Sequence, residues 1–348
     1  MAQGEEVART YRPWPGEDVR IVGLDSEKAS SKVTVLAEAR VAVLVPCYNE
    51  EAAIKMVVQD FRAALPSAEI YVYDNNSHDG TADVARAAGA IVRKESLQGK
   101  GNVVRRMFAD VEADVFLLVD GDNTYDASSA ERMISLLLEE RLDMVNGRRV
   151  TSIEAAYRRG HRFGNRLLTQ IVAAIFGNRI RDMLSGYRAF SRRFVKSFPA
   201  MARGFEIETE LTVHALELRM PLAEIDTPYK DRPVGSISKL RTVRDGFRIL
   251  WMIGLLIKEE RPMQFFSFIF CVLATTSVLM SIPLAETYIE TGLVPRFPTA
   301  ILATGTMLLA FLSLFCGLVL DTVTLSRREA KRMHYLEIPA PGLCNSRT

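Results

Sequence analysis

The sequence predicts an α/β domain built on a mainly parallel sheet, continued by amphipathic juxtamembrane helices and two transmembrane helices. Three observations lead there. Strand-like apolar runs alternate with helical segments from Val41 onward, those runs end in polar turns, and two long runs near the C-terminus carry no charge. Of the 348 residues, 48% are hydrophobic and 25% charged, which supplies a substantial core and excludes a disordered polar chain. Lys and Arg number 44 against 42 Asp and Glu, a formal charge of +2, so no global positive field points to nucleic acid as a partner. Cys47, Cys271, Cys316 and Cys344 lie far apart and lack zinc-site or disulfide-scaffold spacing, so they read as reduced thiols.

Residues 1–38 form a charged leader without a clear period. After it, AVLVP at 42–46 is a buried strand pattern, 50–64 a helical one, EIYVYDN at 69–75 a second strand and 79–88 a second helix. Leu117, Leu118 and Val119 make a third strand that ends at DGD, and a helix follows around 129–140. Such a βαβαβ order buries parallel strands between helices and gathers polar chemistry at the strand C-termini.

Residues 263–285 and 297–320 contain no Asp, Glu, Lys or Arg. Each exceeds the roughly 20 residues that cross a bilayer as helix. Lys258, Arg261, Arg327, Arg328, Lys331 and Arg332 flank their outer ends, whereas the connecting loop has only Arg296, which predicts that both chain ends and the large front region are cytoplasmic. Glu5, Glu6 and Arg9 stand where a secretory signal would be basic and then apolar. Residues 242–258, with Arg244, Arg248 and Lys258 among large apolar side chains, fit an interfacial amphipathic helix or one packed on the domain. The expected division is an extension at 1–38, a cytosolic domain at 39–240, a juxtamembrane region at 241–262, two transmembrane helices within 263–325 and a cytosolic tail at 326–348.

Asp120 and Asp122 follow the strand FLLV directly, so both carboxylates can face one hard divalent cation held against a diphosphate; they also suit a turn or helix cap. Asp74 ends a strand where it can accept hydrogen bonds from a base or ribose, and Gly99-Lys100-Gly101 offers an anion-contact loop. Asn75-Asn76-Ser77 is formally a glycosylation acceptor, but a cytosolic domain is not modified there. In GFEIETEL at 204–211, Glu206, Glu208 and Glu210 share a face if extended, and Glu206 meets Glu210 if helical. His161 and His214 stand apart from any ligand cluster and read as ordinary polar or core residues.

VPCYNEE at 45–51, DNNSHDGT at 74–81 and DGD at 120–122, in this order, resemble the nucleotide-sugar motifs of the family-2 glycosyltransferases of the GT-A fold. More closely, residues 41–260 and the paired spans resemble the membrane-bound polyprenyl-phosphate glycosyltransferases, such as dolichyl-phosphate mannose synthase and the bacterial enzymes that charge undecaprenyl phosphate. The resemblance implies a Rossmann-like GT-A domain with Pro46, Tyr48, Glu50, Asp74 and Lys100 on the nucleotide side. It implies Asp120 and Asp122 beside Mg2+ or Mn2+ and the donor phosphates. Arg148, Ser185 and Arg188 would hold the lipid phosphate, with Arg162 and Arg181 as weaker choices, and Asp182 would orient the acceptor or its loop. Arg232, Ser238 and Lys239 belong to a segment at 229–240 resembling the loop that closes on the diphosphate, and Glu206 or Glu208 would orient sugar or loop. The DNNSHDGT segment departs from the family's usual DDGSTDGT-like form, which leaves base preference unread.

The implied reaction is inverting transfer of one sugar from a nucleotide sugar, UDP-linked ahead of GDP-mannose, to polyprenyl phosphate at an inner or plasma membrane. A processive polysaccharide synthase uses the same donor fold, but QxxRW is missing and only two spans are evident. A noncatalytic nucleotide-sugar-binding membrane regulator is the other class. Ala274, Gly305 and Gly317 supply small residues for self-association between membrane helices.

Overall fold

The computed structural model describes residues 39–150, 180–201, 204, 206–230, 254, 258–259 and 261–341. Within them lies a seven-stranded sheet of order β3-β2-β1-β4-β6-β5-β7. Its strands are β1 (Val41–Cys47), β2 (Glu69–Asp74), β3 (Ile91–Lys94), β4 (Val115–Leu118), β5 (Met144–Val150), β6 (Arg188–Ser191) and β7 (Leu222–Pro228). β1 pairs in parallel with β2 and β4, as the βαβαβ pattern predicts, and β2 also pairs in parallel with β3, a short edge strand that the pattern did not include. β6 runs antiparallel to both β4 and β5, while β5 and β7 are parallel, so one reversed strand interrupts an otherwise parallel sheet.

The helices of this domain are α1 (Glu51–Ala64), α2 (Thr81–Ala87), α3 (Lys100–Asp110), α4 (Ser129–Glu139), α5 (Arg192–Ser197) and α6 (Ile207–Glu217). In α1, Ala53, Ile54, Val57, Val58 and Phe61 recur at helical spacing and are buried, and Pro66 lies just past the end. Strand residues alternate between two cores. Val43 and Val45 face α1, α2 and α4, whereas Ala42 and Leu44 face α3, α5 and α6, which makes three layers. β1 and β4 are buried on both faces, which is why they read as continuous apolar runs.

The turns beyond β1, β2 and β4 each contain an asparagine in the left-handed region: Asn49 (φ 52°), Asn76 (φ 61°) and Asn123 (φ 56°). Asparagine tolerates that conformation because its short amide bonds locally, and it turns the chain sharply across the strand ends. Lys100 opens helix α3 behind Gly99 (φ 129°), a correction to the loop expected around 99–101.

Two further helices follow, α7 (Pro262–Thr291) and α8 (Phe297–Leu336). Their most apolar windows have mean hydropathies of 2.1 and 2.2, and only 6% and 17% of those windows are buried. They are long and apolar enough to cross a membrane, and their exposure distinguishes them from the core helices of a soluble domain. They pack as a hairpin in which the Ser277 hydroxyl donates to Ala303 O at 2.7 Å and Gly317 lies against Phe266. The extension at 1–38, most of the juxtamembrane stretch, Arg162, His161, Arg232, Ser238 and Lys239 lie outside the described residues.

Candidate active site

The turns that follow β1, β2 and β4 are stitched into one polar edge. The Asn49 amide donates to Ser77 Oγ at 2.9 Å, His78 N to Asn49 Oδ1 at 2.8 Å and Glu50 N to Thr81 Oγ1 at 2.9 Å. Pro46 pairs in register with Tyr73, and the Tyr48 ring meets His78 edge-on with centroids 6.4 Å apart. Asp74, buried at the end of β2, accepts from Ser77 N at 3.3 Å. These contacts place Pro46, Tyr48, Glu50 and Asp74 at or beside the ends of β1 and β2.

Asn75, singled out only as a formal glycosylation acceptor, is a buried brace. Its amide nitrogen donates to Glu95 O and Leu97 O at 2.9 and 2.8 Å, and its oxygen accepts from Gly99 N at 2.7 Å. It thereby fixes the chain that delivers Lys100.

Lys100 Nζ lies 2.5 Å from Asp120 Oδ1 and 2.5 Å from Glu208 Oε1, a buried ammonium between two carboxylates. Burial alone pushes the ammonium down, but the charges of Asp120 and Glu208 outweigh it and hold the group above the ordinary lysine value. Close backbone approach shapes the Asp120 turn. A Cβ on Gly121 would stand 2.6 Å from Cys47 Sγ, and one on Gly186 would land on the Asp120 carboxylate. Asp122, also buried, accepts from Thr124 Oγ1 at 2.6 Å. Two carboxylates from one turn are hard oxygen donors of the kind Mg2+ or Mn2+ takes alongside diphosphate oxygens and water, although Asp120 Oδ1 is engaged by the Lys100 ammonium and no group of three or more His, Cys, Asp or Glu gathers for a metal among the described residues.

Glu208 comes from the first turn of α6, so the second half of the GFEIETEL segment, from Ile207, is helix. Ile207, Leu211 and Ala215 pack into the core while Glu208 turns to Lys100, with its Oε2 buried and unpartnered. Glu206 takes the N-cap position, and Glu210 accepts from Met201 N at 2.8 Å.

At β5, the arginine that meets Asp182 and Tyr229 is Arg149, which sequence reasoning passed over. Its Nε and Nη2 donate to Asp182 at 2.7 and 2.8 Å, and its Cζ lies 5.7 Å from the Tyr229 ring centroid. Burial raises the Tyr229 phenol, and the charge of Asp122 adds to the rise while Arg149 opposes it. Arg148 points to the other face of β5 and forms a half-exposed fork with Asp226 at 2.5 and 2.6 Å. The period-two alternation along β5 separates the two neighbours.

Ser185 and Arg188 require a correction, because both are fully buried and bonded beneath the site. Ser185 Oγ donates to Gly147 O at 2.5 Å. Arg188 donates to Ser185 O at 2.9 Å, to Thr212 Oγ1 at 2.8 Å and to Met183 O at 2.5 Å. Burial lowers the Arg188 guanidinium while the charges of Glu208 and Asp182 counter it. Asp182 pairs with Arg149, and Arg181 is exposed with its backbone N–H on Glu224 at 3.1 Å. Glu224, absent from the expected set, also accepts from Asn146 Nδ2 at 2.9 Å and Asp182 N at 3.1 Å, fixing the loop.

Residues 42–198 match the family model described as Glycosyl transferase family 2. The chain is 32% identical over 299 residues to glycosyltransferase AglJ of Haloferax volcanii, covering 85% of this chain and 98% of that protein. It is 28% identical to the dolichyl-phosphate hexose transferase of the same organism, over 63% of this chain and 95% of the relative. Among solved structures, glucosyl-3-phosphoglycerate synthase from Mycobacterium tuberculosis, in complex with Mn2+, UDP and glucosyl-3-phosphoglycerate, superposes with a TM-score of 0.54 at 21% identity. That superposition covers 68% of this chain and 86% of the other and shows the shared GT-A fold. With the ordered strand-end motifs, the sheet and a relative matched across nearly its whole length, the chain belongs to glycosyl transferase family 2.

Proposed function

We propose that the protein transfers one sugar, with inversion, from a nucleoside-diphosphate sugar to polyprenyl phosphate at the cytosolic face of a membrane. The observation that carries the lipid acceptor is the attachment of a GT-A sheet to two exposed, membrane-length helices. A relative named dolichyl-phosphate hexose transferase supports the same acceptor class, and the UDP and Mn2+ of the mycobacterial enzyme support a UDP-linked donor ahead of GDP-mannose.

Asp120 and Asp122 would hold Mg2+ or Mn2+, which when bound neutralises charge developing on the leaving diphosphate. Pro46, Tyr48, Glu50 and Asp74 would form the nucleotide rim, and Arg149, fixed by Asp182, would meet the acceptor phosphate. A phosphate oxygen is already anionic at neutral pH, so positioning and charge compensation replace proton abstraction. The acceptor oxygen forms a bond to the anomeric carbon as that carbon's bond to the donor's diphosphate oxygen breaks, the electron pair leaving with the nucleoside diphosphate. The described residues are read as serving a single transfer, and both chain ends as cytoplasmic.

The test incubates the reconstituted full chain with Mg2+ or Mn2+, polyprenyl phosphate and a panel of nucleotide sugars, and detects sugar-linked lipid by mass. One lipid product carrying a single sugar is expected, lost in Asp122→Ala. Donor hydrolysis without lipid product, or a polymer, would overturn the reading.

A further inference from the structure

Helix α8 is 40 residues long, about 60 Å, and runs well past its apolar stretch ending at Leu320. Its last turns dock on the catalytic domain. Arg328 Nε and Lys331 Nζ reach Glu217 at 3.2 and 2.8 Å, where the Glu217 side chain is only 3% exposed. The Tyr335 hydroxyl donates to Asp143 Oδ2 at 2.7 Å, and its ring lies 4.8 Å from Arg193 Cζ. Asp143 is fully buried and also accepts from Ser191 Oγ at 2.7 Å and Arg193 Nη2 at 2.8 Å. His334 Nε2 lies 3.1 Å from Lys196 O. Two buried carboxylates of the sheet domain thus draw partners from the membrane hairpin, and a buried carboxylate stripped of its cations is costly.

The docking points lead to the site. α6 carries Glu217 at its last residue and Glu208 in its first turn, nine residues or about 13 Å away. Glu208 meets Lys100, and Lys100 meets Asp120. α5 follows β6 directly, and Arg188 of β6 holds the 183–185 carbonyls under the acceptor loop.

We propose that the cytosolic end of α8 is a positioning strut, in which Arg328, Lys331 and Tyr335 clamp the catalytic domain at a fixed orientation to the bilayer and α6 carries that constraint to Asp120. The orientation matters for an acceptor embedded in the membrane and not for one in solution, so the inference rests on the lipid-acceptor reading. Arg328, Lys331 and Tyr335 touch no reacting atom and are positioning residues.

The experiment uses the full chain in nanodiscs, comparing wild type with Arg328→Ala/Lys331→Ala and with the milder Tyr335→Phe and charge-keeping Lys331→Arg. Bio-orthogonal spin labels at the exposed positions Arg86 and Thr322 report the domain's distance from α8. The double variant is expected to broaden a narrow distance distribution, and Tyr335→Phe to do so in part. Its kcat with embedded undecaprenyl phosphate should fall about tenfold, with donor KM and kcat for a water-soluble short-chain prenyl phosphate held within about twofold. Lys331→Arg should retain wild-type values. Equal loss with both acceptors would reduce the contacts to a general structural role and overturn the strut, as would an unchanged distance distribution. The distance measurement needs no turnover, so a wild type that makes no lipid product defeats the lipid-acceptor reading while the distances still judge the clamp.

Discussion

Arg148 and Arg149 are neighbours of equal charge, yet strand alternation sends one to a half-exposed pair with Asp226 and the other into a buried fork with Asp182. The magnitudes separate them. Removing one partner of a buried pair leaves an uncompensated charge and costs about 3–5 kcal/mol, whereas an exposed pair contributes about 1 kcal/mol or less. Arg149→Ala is therefore expected to lower unfolding free energy by several times as much as Arg148→Ala in denaturant titrations, and to reduce transfer more. The motif DGD was legible because its two carboxylates follow an unmistakable apolar run. Arg149 was hidden because adjacent residues on a strand differ only in face, and the face depends on which side of β5 the sheet turns toward the acceptor loop.

At the scale of an element, α6 shows how a pattern with two periods is resolved by what it packs against. Alternating glutamates allowed strand or helix; burial of Ile207, Leu211 and Ala215 against β-sheet side chains selects the helix and turns Glu208 inward. The same helix carries His214, which burial and then the nearby Lys331 charge hold down to about 3. An unfolded histidine binds its proton below about pH 6.5, and the folded one resists until near pH 3, so stability contributed by neutral His214 is fully present above about 6.5. It is lost as pH falls from there toward 3, by up to about 1.4 kcal/mol per pH unit. Urea unfolding of the detergent-solubilised chain at stepped pH should show this acid limb, and His214→Phe should flatten it.

Across the whole molecule, the hairpin of membrane-length helices packs against the sheet domain through α8. Gly317 lets α7 and α8 approach, since a Cβ there would stand 2.8 Å from Phe266 Cβ, whereas a Cβ on Gly305 meets nothing within 4 Å. Of the small residues considered for self-association, Gly317 is thus occupied inside the hairpin, and Gly305 faces outward. Gly317→Leu is expected to destabilise the hairpin by about 1–3 kcal/mol, read as a lowered Tm in detergent, while Gly305→Leu leaves Tm unchanged. Because the strut continues from α8, the Gly317 variant should also loosen the domain's hold on the membrane helices.

The sequence by itself determined the α/β class, the strands β1, β2 and β4, the polar strand ends and the two membrane-length helices. Each of these is written in local periodicity, in turn residues or in the plain absence of charge over 23 and 24 residues. Only the tertiary structure decided that β6 runs against its neighbours, that Lys100 meets Asp120 and, 108 residues along the chain, Glu208, that Arg188 is buried against Thr212 and that Tyr335 returns to Asp143. These are contacts between segments far apart in the chain, and their partners are chosen by which faces the folded layers leave buried, a quantity that no local spacing encodes.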